Sequence, residues 1–533
     1  MTEDGRAPVE DADVCVVGAG PAGALTAYTL ASRGYRVVVL EAGERFDRGD
    51  DERRMEESLR PAHDAGELWN METGDGRDAY TSSGERYYPL NAARVKGVGG
   101  STLHWQGMVM RLHEKDFEME TRHGVGRDWP ISYDDLQPYY VRAEKEMGVA
   151  GGDDNPYAPP RSQPFPLPAF EPSYSDSLFS DACDEVGLEM HSVPNARNPE
   201  PYDGRGVCVG YGTCQPVCPS GAKYTADVHV AKAEDEGARV IDRAQVERLE
   251  TDGEGDAVES AVYTTPSGTY RQDADAFVVA CGGVETPRLL LLSRSRDHPD
   301  GLANSSGAVG RYFTEHLFVG AGGTVDQPTR QNHIGFITSE SHALYDGEDP
   351  TPLGTKLEFL NYAGPSPAIE AMNADEWGDA LLEDLRGSYG NHVSMGGLVE
   401  QVPTEKNRVT LDKTTTDNLG NPVPDVRWSV ADREAEAIRA ANTVQNDVLG
   451  AMDADVGWTV GPEDTGPAYH HMCTTRMGHH DDESVVDHRT KAHDLENLYI
   501  SSSSVFVTAG AMNPTLSIAA LALKTADHID DDI

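Results

Sequence analysis

The sequence predicts an α/β protein in which a doubly wound parallel sheet is joined to a second domain with a mixed or antiparallel sheet and helices. Three observations lead there. A short apolar run, Val14-Cys-Val-Val17, is followed by Gly18-Ala-Gly20-Pro21-Ala22-Gly23 and a helical stretch to about Gly34. A second run, Arg36-Val-Val-Val-Leu-Glu41, completes a strand–helix–strand unit and ends in an acid. Far downstream, Ala276-Phe-Val-Val-Ala280 reads as another strand buried on both faces, so the parallel, Rossmann-like sheet is assembled from separated segments.

The rest of the chain divides by composition. Residues 44–90 are polar and weakly periodic, and 150–206 are rich in Pro, Asp and Asn; both read as surface excursions, the second with a short helix near Ser175 to Val186. Strands recur from Ala238 to Ala280, alternating in Ala257-Val-Glu-Ser-Ala-Val-Tyr263. Residues 317–464 carry several strand patterns and an acidic helix from about Ala431 to Met452, expected on the surface of the second domain. An Ala/Leu helix from Leu516 to Ile529 ends the chain. The expected layout is therefore 1–316 for the first part of the nucleotide-binding domain, 317–464 for the second domain, and 465–533 for a return to the first.

The chain has 533 residues, 90 acidic against 44 basic side chains, and a formal net charge of -46 at pH 7. A polyanion would be repelled, which excludes nucleic acid as a main partner. At 38% hydrophobic the chain still supports a sizeable core, so the acidity belongs to the surface. Only ten of the 44 basic residues are Lys. That bias, with the acidic excess, suggests a surface adapted to concentrated salt, where self-repulsion is screened. No run of 18 apolar residues exists and the first residues lack a basic and apolar leader, so the expectation is a soluble chain with no direct membrane span, cytoplasmic unless a partner subunit brings it to a membrane.

The glycine pattern carries chemistry. Gly18 permits a tight turn, Gly20 lets the backbone approach a pyrophosphate, and Gly23 lets helix and sheet pack closely. Pro21 and Ala22 open the helix, whose free N–H groups favour phosphate. Glu41, 18 residues after Gly23, stands where an acid accepts hydrogen bonds from the adenosine ribose, which disfavours a 2′-phosphate.

Two further segments narrow the cofactor. Arg94-Val-Lys96-Gly-Val-Gly99-Gly100-Ser101-Thr102-Leu-His104-Trp105 is a second Gly-rich loop, and Ala280-Cys-Gly-Gly-Val-Glu285-Thr-Pro-Arg288 is a strand, turn and helix. With Asp128-Trp-Pro-Ile-Ser-Tyr-Asp-Asp-Leu136, Asn497-Leu-Tyr-Ile500 and Asn513-Pro514-Thr515-Leu516, these motifs fall in the order of the glucose-methanol-choline (GMC) oxidoreductases, which the chain resembles over nearly its whole length. The resemblance implies FAD, with Gly99, Gly100, Ser101 and Thr102 against the flavin and Val246 contacting the adenine through its backbone. A histidine at the spacing of His104 carries the flavin covalently in some family members and lies beside a noncovalent flavin in others.

Oxidising an alcohol needs a base for the hydroxyl proton and an acceptor for hydride, and histidine suits the first role because its ordinary pKa is near neutral. In Tyr469-His470-His471-Met472-Cys473-Thr474-Thr475-Arg476-Met477-Gly478 the resemblance places the base on His470, leaves His471 on a variable position, and puts Cys473 where Gly is usual. The second member of the family's catalytic pair falls on Asn513. Asn513-Pro514-Thr515 also reads as a helix start, with Asn as cap and Pro at the first helical position.

Three of the seven cysteines, Cys208, Cys214 and Cys218, lie in a Gly-rich loop ending in Pro219. A zinc site normally takes four ligands, so the pattern reads as an iron–sulfur site or as three plain thiols. It is similar to the loop of GMC flavin subunits from membrane-linked glucose and gluconate dehydrogenases, which implies a [3Fe-4S] cluster on these three residues, electrons leaving to a quinone or a cytochrome, and a possible small subunit. The expected reaction is oxidation of an alcohol, sugar or polyol by hydride transfer to FAD; a cluster-free alcohol oxidase using oxygen and a non-catalytic flavin electron carrier are the rivals. Cys15 and Cys183 read as core thiols, the His479-His480 stretch as a solvated acidic loop, and His63, His191 and His229 have no assignment.

Overall fold

A computed structural model of the chain describes residues 7–60, 65–92, 94–329, 335, 337–346, 353–361, 368, 371–372 and 374–533; His63 lies outside them. The strands in chain order are β1 (Ala12–Val17), β2 (Val37–Leu40), β3 (Thr81–Ser82), β4 (Ala150–Gly151), β5 (Leu167–Pro168), β6 (His191–Ser192), β7 (Arg239–Ile241), β8 (Gln245–Thr251), β9 (Val258–Thr265) and β10 (Gly268–Val279). They continue as β11 (His316–Thr324), β12 (Ile337–Ser341), β13 (Thr355–Leu360), β14 (His392–Glu400), β15 (Arg408–Thr416), β16 (Pro422–Arg427), β17 (Asp455–Val460) and β18 (Leu498–Ile500). The helices that matter below are α1 (Pro21–Ala31), α2 (Tyr133–Met147), α3 (Tyr174–Val186), α4 (Asp227–Asp235), α5 (Gly282–Leu292), α6 (Asp432–Ala451) and α7 (Thr515–Asp532).

The first sheet runs β7-β2-β1-β10-β9-β8, with β18 also on β10. Its centre is parallel: β1 pairs with β2 and β10, β7 with β2, and β18 with β10. The valine-rich strands explain this, because β2 is buried throughout and Val14, Cys15 and Val16 are wholly enclosed. β10 then changes partners along its length, pairing parallel to β1 from Ala274 onward and antiparallel to β9 from Gly268 to Asp273. On one face α1 packs against α4 and α7, and α7 against α2. The chain's last helix is thereby sealed against its first.

The second sheet is antiparallel throughout, in the order β17-β11-β14-β13-β12-β6. The glycines of β11 make room for a neighbour: a Cβ at Gly322 would lie 2.7 Å from the Trp458 ring on β17. The two segments read as surface excursions each contribute an edge strand, β3 beside β16 and β6 beside β12. The helix α6 corrects the expectation of a plain surface element. It covers β11 and β14 and packs on α3, and Ala437, Ile438, Ala441, Val448 and Leu449 are buried. Glu434 is itself only 1% exposed, because its carboxylate accepts the N–H groups of Ala431 and Val402 and so caps the helix start. One hydrophobic core surrounds each large sheet, and the main cavity is lined from both.

Candidate active site

A cavity of about 650 Å³ runs from the β1–α1 turn to the wall of the second sheet. At its nucleotide end the glycines act through backbone geometry. Gly18 has φ +104°, and a Cβ there would lie 2.7 Å from the Ala280 carbonyl oxygen. A Cβ at Gly23 would lie 1.9 Å from the Gly18 carbonyl oxygen, so any side chain would drive α1 off the strand. At Gly20 nothing lies within 4 Å of that position, and the space opens into the cavity in front of the N-terminus of α1. Glu41 is buried and accepts the N–H groups of Ala19 at 2.8 Å and Gly43 at 2.9 Å. It therefore braces the turn as well as lining the cavity, and burial holds its carboxyl above the usual range. Val246 lines the same end from β8.

The second Gly-rich loop interlocks with the first. Gly99 donates its N–H to the Ala19 carbonyl at 3.0 Å, and a Cβ at Gly100 would lie 2.9 Å from the Gly20 Cα. Ser101 accepts the Val95 N–H, while Thr102 donates to the Gly99 carbonyl and accepts the Ala226 N–H. Glu285 explains the third motif: it binds Arg94 at 2.6 Å and Lys96 at 3.1 Å, tying α5 to the Gly99 loop, and those cations hold its carboxyl well below its usual range against the cost of burial. Ser101, Thr102 and buried His104 line the cavity, as do Gly18, Gly20, Pro21 and Ala22; Gly23 and Gly99 sit in the turns beneath it. An open Gly turn at a helix N-terminus, a bracing acid and a long adjoining slot fit a dinucleotide cofactor such as FAD.

At the other end the cavity is lined by Tyr469, His470, His471, Asn513, Pro514 and Thr515. His470 Nδ1 lies 2.9 Å from Nδ1 of His316, a wholly buried residue at the start of β11. His316 Nε2 faces the Ala509 carbonyl at 3.3 Å. A carbonyl only accepts, so His316 carries its proton on Nε2 and its bare Nδ1 must accept from His470. That assignment leaves Nε2 of His470 as a lone-pair acceptor. Burial and the neighbouring positive charge of Lys356 hold both imidazoles neutral, with His316 pushed down to about 4 and His470 well below its usual value. Glu315 steadies the segment from behind: it accepts the N–H groups of Ala468 and His316 and the Tyr88 hydroxyl, and burial pushes it up to about 8.

Asn513 does not cap the last helix. The helix begins at Thr515, Pro514 occupies the cap position, and no side-chain capping bond forms. Instead the Asn513 Oδ1 is buried beside the cavity without a hydrogen-bond partner among the described residues. The proline's fixed φ already suits the turn, which frees the amide for another donor. Cys473 occupies a left-handed conformation, φ +70°, fully buried. This accounts for glycine as the usual residue there. Sequence reasoning missed His316 and Glu315, because they lie about 150 residues before their partners and no local spacing marks them.

The cysteine loop sits behind the Gly99–Trp105 segment. Lys223, fully enclosed, donates to the carbonyl oxygens of Leu103, Trp105 and Cys214, and Gln106 bonds Gln215 across the same boundary. Arg197 donates to Cys214 Sγ at 3.7 Å. Burial raises the Cys208 thiol above its usual range, and Arg197, Cys214 and Cys218 lie near enough to act on it electrostatically, so the three thiols share one neighbourhood. Among the described residues the sulfurs are not close enough together to hold a single ion. Three soft ligands spread over a loop, with two buried cations beside them, fit a multi-iron cluster. His229 is a core histidine between Tyr224 and Glu146, and His191 is buried beside His342 and Glu340.

A strand–glycine turn–helix cradle, a second glycine loop and a hydrogen-bonded histidine pair at the far end define a flavin-type dinucleotide-binding oxidoreductase. The sequence model of the GMC oxidoreductases matches residues 80–318 and 403–522, and that of the FAD dependent oxidoreductases matches residues 13–54. The chain is 33% identical over 537 residues to the fructose dehydrogenase large subunit of Gluconobacter japonicus, covering 98% of each. It is 30% identical to 2-methyl-1,2-propanediol dehydrogenase of Mycolicibacterium austroafricanum, covering 98% of this chain and 95% of that protein. Pyridoxine 4-oxidase from Mesorbium loti has the same fold, with a TM-score of 0.66 at 19% identity over 97% of this chain and 99% of that one. The chain belongs to the GMC oxidoreductases, FAD-dependent enzymes acting on CH–OH donors.

Proposed function

We propose that the protein is an FAD-dependent dehydrogenase of sugars or polyols in which His470 is the base, and that it passes electrons to a partner protein or a quinone rather than to oxygen. The observation that carries this reading is the His316–His470 pair, which leaves a neutral, unprotonated Nε2 on a residue lining the same cavity as the Asn513 amide, whose oxygen is unused among the described residues. Bound FAD supplies the hydride acceptor. Asn513 orients the substrate hydroxyl, His470 Nε2 takes its proton as the C–H bond breaks, and His316 holds the imidazole in the required tautomer. Gly18, Gly20, Gly99 and Gly100 admit the cofactor closely, Glu41 and Val246 hold its adenosine end, and His104 stands beside the flavin ring.

Cys208, Cys214 and Cys218 would hold a [3Fe-4S] cluster, which would supply a one-electron carrier beside the flavin. Supporting this are the contacts of Lys223 and Gln215 with the Leu103–Gln106 segment, and the similarity to a dehydrogenase large subunit whose name implies further subunits. A small subunit and a cytochrome are the partners that fit, and would bring the chain to a membrane; among the described residues no helix is long and apolar enough to cross one. The test is anaerobic: sugars and polyols should bleach the FAD of the intact protein, His470→Ala should abolish bleaching with FAD still bound, and iron and sulfide should co-purify. Rapid oxygen consumption with peroxide release and no iron would establish the oxidase instead. Yellow colour leaving acid-precipitated protein would show that His104 is not covalently linked.

A further inference from the structure

The wall of the second sheet that faces the cavity is apolar at Phe318, Leu360 and Leu398, yet one carboxylate stands in it. Glu358 lies on β13 opposite Gly396 of β14 and Glu340 of β12. Side chains directly opposite one another on paired strands share a face, so Lys356, Glu358 and Glu340 form a charged row at the edge of the apolar surface. Lys356 is wholly buried and binds Glu358 Oε1 at 2.7 Å and Glu340 Oε2 at 3.3 Å. Glu340 Oε1 takes His342 Nε2 at 3.0 Å, and burial leaves His342 neutral. The row therefore carries two negative charges and one positive.

The second oxygen of Glu358 has no hydrogen-bond partner among the described residues. Glycine at 396 keeps the space above it open: a Cβ there would come within 3.3 Å of Glu358 Oε2 and within 3.3 Å of the Phe318 ring. An ionised carboxylate only accepts, and a desolvated one gains most from a donor supplied by the ligand. We propose that Glu358 is a specificity-determining residue that accepts a hydrogen bond from a second hydroxyl of the substrate, so that the site selects neutral polyhydroxylated compounds. A monohydric alcohol would leave the oxygen unpaired, and a sugar acid would meet the row's excess negative charge. This subsite rests on the dehydrogenase reading of the same cavity.

The experiment compares wild-type holoenzyme with Glu358→Gln and Glu358→Leu, measuring anaerobic flavin bleaching by a neutral sugar alcohol, a monohydric alcohol of equal chain length and a sugar acid, with FAD content and thermal midpoint recorded for each. Glu358→Gln keeps the size of the side chain and carries the comparison if Glu358→Leu does not fold. Wild type should favour the sugar alcohol, and Glu358→Gln should lower the ratio of kcat/KM for sugar alcohol over monohydric alcohol by roughly 10- to 100-fold, the worth of a hydrogen bond to a charged group. An unchanged ratio, or a wild type that prefers the monohydric alcohol or the sugar acid, overturns the subsite and leaves the dehydrogenase standing. A wild type that holds FAD and is bleached by no hydroxyl compound overturns both.

Discussion

The two ends of the cavity are built from different materials. At the nucleotide end, Gly18, Gly20, Gly23, Gly99 and Gly100 act by lacking side chains, and the close approaches are between backbones. At the substrate end the lining is made of ionisable side chains: His316, Glu315, Glu358 and Lys356 are buried, and His470 is half-buried against the cavity. A backbone-built site is sensitive to a single added carbon and indifferent to pH. A side-chain-built site tolerates size changes better but depends on which groups hold protons.

The sharpest way to break this contrast is at Gly23. Gly23→Ala places a carbon where only about 2 Å is free, so the protein should lose bound FAD and a large part of its stability, several kcal/mol by analogy with overpacked cores. Gly20→Ala meets no atom within 4 Å, so it should leave the thermal midpoint of FAD-free protein nearly unchanged while weakening FAD binding. Equal thermal destabilisation by both would mean the Gly20 space is not kept for a ligand.

At the substrate end, His470→Ala should slow anaerobic flavin bleaching by about 10²- to 10⁴-fold with FAD retained. His316→Leu should cost less, on the order of 10- to 100-fold, because it frees the tautomer without removing the base. A kcat for His316→Leu equal to wild type across pH would show that the pair does not position the base.

Acid should act on the substrate end first. Buried His316 and His342, held near 4, and His471, near 3, stay neutral in the fold while an unfolded chain protonates near 6.5. Their folded pKa values are lowered, so the unfolded chain binds more protons between those values and stability falls as pH drops below about 6.5. Glu315, raised to about 8, and Glu400, raised to about 7, work the other way, since the fold takes up their protons first as pH falls. With His470, held well below its usual value, and His528, held near 4, the lowered histidines outnumber the two raised carboxyls, so the expected profile falls from about pH 6.5 and steepens below about 4.5, at roughly 1.4 kcal/mol per pH unit for each uncompensated group. A stability maximum below pH 5 in urea titrations would contradict these protonation states.

The smallest effect is expected at Cys473. In its left-handed conformation, Cys473→Gly should be more stable than Cys473→Ala by roughly 1 kcal/mol, the reverse of the order in ordinary backbone. Paired thermal melts would read the difference directly.

The nucleotide end was legible in the sequence because its determinants are local. Gly18 to Gly23 lie within one turn between a strand and a helix, and hydrophobic periodicity identifies both elements without knowledge of the rest. The segment around His470 is read through its resemblance to the family pattern, and the role of His470 stands as a proposal. The helix cap assigned to Asn513 could not be judged locally, since a cap and a cavity-facing amide share the same Asn-Pro-Thr spelling and differ only in what the side chain meets. The acidic helix from about Ala431 to Met452 reads as a surface element for a related reason: an acid such as Glu434 looks exposed until two backbone N–H groups are seen to enclose it.

By itself the sequence determined a parallel sheet with a glycine turn and a second glycine loop, and it singled out His470, Asn513 and the three clustered cysteines as candidates. Tertiary structure alone decided which nitrogen of His470 is free, because its partner His316 is 154 positions away. It alone set Glu358 against Lys356 and Gly396 on one wall, and laid the cysteine loop behind the Gly99–Trp105 segment. The physical reason is common to all three. Backbone conformation is fixed by neighbours in the chain, whereas the protonation and orientation of a buried polar group are fixed by whatever donor or acceptor the fold brings within 3 Å.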